Sequence, residues 1–302
     1  MADPSFTLVQ LRYFATAAEL GSMTGAAKEL MVSQSAISTA IGQLERDLGV
    51  QLLIRHHARG LSLTPVGQEF LSELRRFLLH AHELGEVARG VGRSVVGDLV
   101  VGWFSTLTPF YLPTIVRAYE ERYPDSCVRV IEGQHSQLTD DLREGRCELA
   151  IMYAYGAGDL RSRVVDSVHP YVLVAADHKL ASRKSVRLKE LVDQPMVLLD
   201  LPHTTDYFLA LFGSRGLPEP AIRFRSGGYE TVRALVAHGH GFAILNQRPL
   251  HDLTYDGAEV RMLEIKDDVE SLDVVVAWPS DARLTRRAQA FIRLVTSKKH
   301  SG

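Results

Sequence analysis

The stretch Val32-Ser-Gln-Ser-Ala-Ile-Ser-Thr-Ala-Ile-Gly-Gln-Leu-Glu-Arg-Asp-Leu48 decides how the first third of this chain is read. Ile37, Ile41, Leu44 and Leu48 recur at spacings of four, three and four, which lays them along one face of a helix. Ser33 stands where an N-cap is expected, its hydroxyl able to take a free backbone N–H of the first turn. The opposite face carries Gln34, Ser35, Ser38, Thr39, Gly42 and Gln43. An ordinary solvated face would carry Lys and Glu. Short hydroxyls and amides suit the edges of bases instead, since Gln can bond adenine through two atoms and Ser can meet several acceptors.

Upstream, Leu8 to Leu20 predicts a helix with Leu8, Leu11, Phe14 and Ala18 on one face, closed by Gly21. Thr24 to Leu30 predicts a two-turn helix whose Ala26 and Ala27 are small enough for a close helix crossing. Met31-Val32 makes a tight turn. Helix, short helix, turn and capped helix in that order form a helix-turn-helix, whose second helix enters the major groove of double-stranded DNA. Downstream, Leu52 to Thr64 reads as two short apolar strands flanking Arg55-His56-His57-Ala58-Arg59-Gly60. This is a wing, with local positive charge for phosphates or a minor groove. A helical hairpin that only packs is the alternative, and the ordered run of elements favours DNA binding over it.

These residues resemble the LysR-type transcriptional regulator family. The resemblance rests on Leu11-Arg-Tyr-Phe14, Gly21-Ser22, Ala26-Ala27, Val32-Ser33-Gln34-Ser35-Ala36-Ile37-Ser38, Leu44-Glu45, Leu48-Gly49-Val50 and Leu63-Thr64-Pro65-Val66-Gly67. It implies DNA contacts from Ser33, Gln34, Ser35, Ser38, Thr39, Gln43, Arg55 and Arg59. Three positions depart from the family's habit: Thr39 stands where Arg is common, Gly25 where a basic residue is frequent, and Ser35 where Pro is common. Residues 1–95 hold nine basic and nine acidic groups, so DNA affinity must come from their placement and must weaken with salt.

Bulk properties agree. The 302 residues are 46% hydrophobic and 23% charged with a net charge of -2, a globular composition and not a generic polycation. Cys127 and Cys147 are too few for a disulfide-built domain. The N-terminus lacks a basic region followed by an apolar run, and no apolar stretch reaches the ~20 residues of a membrane span. A cytoplasmic location, without a membrane partner, is expected.

After the wing, Thr64 is a natural cap and Pro65 suits a first helical turn. Phe70, Leu74, Phe77, Ala81, Leu84 and Ala88 then recur at heptad spacing, predicting a rod of ~37 Å with a dimerisation seam. A dimer presents two recognition helices to a dyad-symmetric site. The resemblance extends this to a homodimer or homotetramer, with RNA polymerase as a further partner.

From Asp98 the pattern changes. Apolar runs at 99–103, 127–132, 148–153, 171–176, 196–200, 242–246 and 272–278 alternate with helical stretches, which predicts an α/β region with largely parallel sheet. The resemblance makes this a two-lobed, periplasmic-binding-protein-like effector domain behind the N-terminal all-α winged helix-turn-helix and linker helix. The expected divisions are residues 1–66 for the DNA-binding domain, 67–93 for the linker helix and 98–302 for the effector domain. Within the last, lobe one takes 98–168 and 273–302, and lobe two takes 169–272. By position in the family, Ser105, Thr106, His135, Tyr153, His203, Thr204, Gly227 and Asn246 would line a cleft between the lobes. Hydroxyls and helix starts after 104 and 202 suggest a small organic acid, aromatic given Phe104, Tyr153 and Tyr229.

Other constellations carry less. His238-Gly-His-Gly241 reads as a helix end and glycine turn, not as a metal site, and no cofactor motif is present. No nucleophile elbow, phosphate loop or zinc-protease motif argues for an enzyme. A redox-responsive regulator using Cys127 and Cys147, and a solute-binding protein without DNA function, are the alternatives.

Overall fold

The computed structural model describes residues 6–56, 60–86, 95–155 and 159–297, which form two compact units. In the first, α1 (Leu8–Leu20), α2 (Met23–Glu29) and α3 (Gln34–Leu48) pack around Phe14, Ala26, Ile37, Ile41 and Leu44, all fully buried. The three helices start as their caps dictate. Thr7, Ser22 and Ser33 each accept a backbone N–H from three residues on. Gly21 and Gly49 end α1 and α3 in the left-handed conformation, and Met31 (φ 54°) makes the turn between α2 and α3.

The buried face of α1 differs from the expected one. It consists of Leu11, Phe14, Ala15 and Ala17, while Leu8 is exposed and Ala18 only half-buried. Leu8 is the first helical residue and lies beyond the edge of the three-helix core. Leu48, at the other end of the α3 stripe, is likewise only half-buried.

The strands β1 (Leu53–His56) and β2 (Gly60–Leu63) pair antiparallel, with His56 opposite Gly60. α4 (Pro65–Glu86) then starts at Thr64, whose hydroxyl accepts the Gly67 N–H at 2.9 Å. Gly67 allows this entry: a Cβ there would stand 2.1 Å from the Leu52 carbonyl oxygen. At 1.5 Å per residue the 22 described residues of α4 make a rod of about 33 Å.

The second unit holds two sheets. The first has the order β4-β3-β5-β13-β6, from β3 (Gly97–Phe104), β4 (Ser126–Gly133), β5 (Leu149–Tyr153), β6 (Leu160–Val168) and β13 (Leu272–Pro279). The helices α5 (Thr108–Arg122), α6 (His135–Arg143) and α9 (Arg286–Ser297) accompany it. The second has the order β11-β7-β12-β8, from β7 (Tyr171–Ala175), β8 (Ser185–Val186), β11 (Ala243–Leu245) and β12 (Val260–Ile265). The parallel pair β9 (Met196–Leu199) and β10 (Ile222–Ser226) joins it through a Met196–Phe242 bridge. α7 (Thr204–Gly213) and α8 (Tyr229–Ala237) complete this half.

The sheets are mixed, not largely parallel. β13 runs antiparallel to β5 and β6, and β7 runs antiparallel to β11 and β12. The cause is the path of the chain. It leaves the first sheet after β6 and returns only at β13, so the returning strand enters against its neighbours' direction.

Candidate nucleic-acid interface and ligand cleft

On the first unit, burial separates the two faces of α3. Ser33, Gln34, Ser35, Thr39 and Gln43 are exposed, and Ser38 is half-buried beside Ile37. Several of these side chains already have neighbours. The Ser33 and Ser35 hydroxyls meet at 3.0 Å, and Thr24 donates to Gln34 Oε1 at 3.4 Å. Gln43 donates to Asp47 at 2.6 Å and accepts from Arg46 at 2.7 Å, so its amide is held by its own helix. Gln34 is therefore the freer of the two glutamines to read a base edge. Arg46, exposed one turn along this face, adds a cation that was not among the expected contacts, since it lies outside both the apolar stripe and the run of hydroxyls and amides.

Arg55 is exposed on β1, opposite Leu61. Arg59 lies outside the described residues. The root of the wing is pinned to the recognition helix by one carboxylate: Glu45 Oε1 accepts the N–H groups of Leu52 (2.8 Å) and Leu53 (3.0 Å). The placement of Arg55 thus depends on α3 itself.

The linker seam divides. Leu74 is buried against its own domain, and half-buried Phe70 packs on Phe14 with ring centroids 5.5 Å apart. Leu71 and Leu78 join them, so this part of the seam belongs to the monomer's core. Phe77 and Leu84 are 50% and 71% exposed, and Ala81 is half-buried. Only this second part is free for another copy; Ala88 lies outside the described residues.

In the second unit a cleft opens between the two sheets, at the strand ends and helix starts. Of the eight residues expected there, Thr106, Tyr153, Thr204 and Asn246 line it. Ser105 instead accepts from Gln134 at 3.0 Å, and exposed Gly227 lies outside the lining. His135 is buried and outside the lining, its ring stacked 5.8 Å from that of Tyr155 and edge-on to the ring of His203, which also lies outside the lining, at 5.7 Å. His203 caps α7 in a left-handed conformation (φ 68°), which is uncommon for a residue with a Cβ.

Tyr155, Tyr207, Tyr229 and Gln247 also line the cleft and were not among the expected residues, although Tyr229 had suggested aromatic character. Gln247 ties the halves together. Its amide donates to the Tyr153 hydroxyl at 3.2 Å, and its carbonyl accepts from Tyr171 and Tyr229. Burial pushes the Tyr153 phenol up to about 12 and raises those of Tyr155, Tyr207 and Tyr229 as well, so the cleft's phenols stay neutral at ordinary pH. The space left between these side chains is about 10 Å³, room for one water molecule.

The helix starts are less suited to an acid than the sequence suggested. Thr204 spends its hydroxyl on the Leu199 carbonyl (2.7 Å) and the Leu201 N–H (2.8 Å). Asp206 and Glu230 occupy the first turns of α7 and α8, and Pro109 removes a donor from the start of α5.

Cys127 is exposed and pairs with Asp98, while the Cys147 thiol is buried at Gly102, four β3 residues away. At strand rise that is about 13 Å. A disulfide needs Cα atoms within about 7 Å, so the two do not pair in this fold. His238, from the glycine turn, bonds Asp256 at 2.8 Å. Among the described residues no helix is long and apolar enough to cross a membrane.

Comparison with known families supplies the decisive match. Residues 8–68 match the bacterial regulatory helix-turn-helix protein model of the lysR family, and residues 92–299 match the LysR substrate binding domain. The chain belongs to the LysR family of transcriptional regulators. Among solved structures, HinK, a LysR family regulator from Pseudomonas aeruginosa, is 34% identical, with a TM-score of 0.66 over 97% of this chain and 99% of that one. A probable hydrogen peroxide-inducible genes activator from Streptomyces viridosporus is 32% identical over 79% of this chain and 77% of its own length. Full-length CbnR, solved in complex with its target DNA, is 25% identical, with a TM-score of 0.57 over 96% of this chain and all of that one. As a LysR-type protein the chain is a DNA-binding transcription regulator, and its relatives are regulators in place of enzymes.

Proposed function

We propose that this LysR-type regulator reads a dyad-symmetric DNA site through paired α3 helices and wings, and that a small molecule held between its two effector lobes sets the occupancy of that site. The observation that carries the reading is the pairing of two surfaces on one chain. One is a capped helix whose first two turns expose Ser33, Gln34, Ser35 and Thr39, with the cation Arg46 further along. The other is a buried, polar-and-aromatic cleft with Tyr153 and Gln247 meeting across it. Residues 1–66 serve as the DNA-binding domain, 67–93 as the linker and 98–302 as the effector domain. Phe77, Ala81 and Leu84 supply the seam of a homodimer, two of which form a tetramer, and RNA polymerase is the partner at the promoter. The cytoplasm is its place.

The mechanism is a coupled equilibrium. Ligand favours one arrangement of the lobes, that arrangement favours one spacing of the recognition helices, and the two binding events must change each other's affinity by the same factor. Genome-wide mapping of bound DNA, followed by binding assays with metabolites made or consumed by the neighbouring gene products, tests this. Operator affinity should change at least fivefold with one such compound, and Asn246→Leu should abolish the change while leaving DNA binding intact. Equal operator affinity with every compound tried, in wild type and variant, would refute ligand control.

A further inference from the structure

Resting on the reading of the interlobe cleft as the effector site, we propose that its ligand is an uncharged aromatic molecule bearing a hydroxyl, of phenol chemistry, and not a carboxylate. The lining contains no Lys, Arg, His, Asp or Glu, and four of its residues are tyrosines. A carboxylate placed among these lining residues would leave water with no cation of the lining to receive it, which is unfavourable. Two cations stand near the lining. Arg233 binds Glu230 at 2.9 Å and the Leu253 carbonyl at 2.8 Å, which matches its charge with a carboxylate while its Nη1 stays buried without a partner, and Arg248 lies 4.8 Å over the Tyr171 ring. Asp206, in the first turn of α7, adds repulsion towards an anion.

The structure already shows a phenol in this place. The ring of Tyr155 stacks on Tyr153 (5.5 Å, 22°), on His135 (5.8 Å, 24°) and on Tyr207 (6.3 Å, 26°), with His203 tilted against it at 6.2 Å. Two of these neighbours, Tyr153 and His135, belong to the first sheet's half, and two, Tyr207 and His203, to the second's. This box accepts an aromatic ring by its faces. Its polar fittings are incomplete: the Tyr155 hydroxyl and His135 Nε2 are both buried without a partner. Burial and the neighbouring His203 hold His135 towards its neutral form, in which one ring nitrogen is an acceptor. An incoming hydroxyl can donate to such a nitrogen, whereas a carboxylate would set lone pairs against it. Because the remaining space holds a single water, ligand entry exchanges one ring for another: Tyr155 swings out as the ligand's ring enters.

The test uses the purified full chain with phenol and benzoate as probes, two rings of the same size that differ in charge, by calorimetry at pH 7.5. Wild type should bind phenol at least tenfold more tightly than benzoate. Tyr155→Ala empties the box and should tighten phenol by a further tenfold or more, while benzoate stays weak. Tyr155→Leu repeats this arm should the alanine variant fail to fold, and the wild-type comparison stands without either. Benzoate binding as tightly as phenol, with an affinity that responds to substitution of Tyr155, would overturn the ligand class and leave the cleft as the effector site. Failure of phenol to bind wild type or either variant would also overturn the proposal. The cleft reading is judged separately, by the loss of metabolite response in Asn246→Leu.

Discussion

Replacing Glu45 by Ala removes the carboxylate that holds the wing to the recognition helix. A single oxygen, Oε1, accepts the N–H groups of Leu52 and Leu53, at 2.8 and 3.0 Å, and both leucines are buried. A hydrogen bond to a charged group contributes about 1.5–3 kcal/mol net. Two bonds sharing one oxygen at a part-buried site do not add fully, so the loss is set at about 2–4 kcal/mol. At about 1.4 kcal/mol per tenfold, that loss raises local opening of the wing root by roughly 30- to 700-fold. Native-state hydrogen exchange reads it directly: the Leu52 and Leu53 amides should exchange faster by that factor, while amides of β3 and β5 in the second unit keep their rates. Glu45→Gln keeps an acceptor but loses the charge, and should show about half the effect in free energy. Operator affinity should fall in the same order, since Arg55 lies on the strand that the carboxylate anchors. Exchange at Leu52 and Leu53 within threefold of wild type would refute the claim that α3 positions the wing.

Other parts of the molecule make their own tests. Phe77→Glu and Leu84→Glu should weaken self-association by at least tenfold in analytical ultracentrifugation without altering the monomer's far-ultraviolet dichroism; Leu74→Glu should unfold the N-terminal unit, because Leu74 is part of its core. Arg287 and Glu148 form an almost fully buried ion pair at 3.0 Å, with Thr285 donating to the same carboxylate at 2.6 Å. Arg287→Ala strands that carboxylate and should cost about 3–5 kcal/mol in chemical denaturation of the second unit. Asp256 accepts from the Thr254 hydroxyl and from His238, which lower its carboxyl from 3.8 to about 2. A carboxylate depressed in the folded state stabilises it above the unfolded value and loses that contribution as pH falls from 3.8 towards 2. Carbon-detected titration of Asp256 should find its midpoint below 3 in the native protein and near 3.8 in Thr254→Val/His238→Ala.

Local rules carried far along the N-terminal unit. Ser33 marks a helix start and Gly21 a helix end, so the start of α3 and the end of α1 could be placed from caps and period alone, whereas the caps Thr7 and Ser22 and the stop at Gly49 emerge only in the structure. What α1 and α3 pack against could not be placed that way. Leu8 has the same period as Leu11 and Phe14 but lies past the edge of the core, and Phe70 and Leu74 share one heptad with Phe77 and Leu84 while facing a different surface. Period says that a side is apolar and leaves open what covers it. In the second unit the fully apolar strands β5, β7 and β9 were legible. β6 and β10 were not, because Arg161, Arg163, Arg223 and Arg225 interrupt strands that run along sheet edges. The family resemblance reached the cleft at Thr106, Tyr153, Thr204 and Asn246. Tyr155 and Gln247 stand two residues past strand ends, so strand position alone does not separate lining from non-lining residues, and Tyr207 comes from within α7.

In the proposed function α3 reads bases and the wing grips phosphates. Equilibrium binding of wild type, Gln34→Ala and Arg55→Ala to a selected operator and to a scrambled duplex, from about 50 to about 200 mM salt, separates the two roles. Gln34→Ala should lose about 1–3 kcal/mol on the operator and little on the scrambled duplex, with the salt slope unchanged. Arg55→Ala should weaken both duplexes alike and flatten the slope by about one. Equal losses on both duplexes for Gln34→Ala, or an unchanged slope for Arg55→Ala, would contradict the assignment.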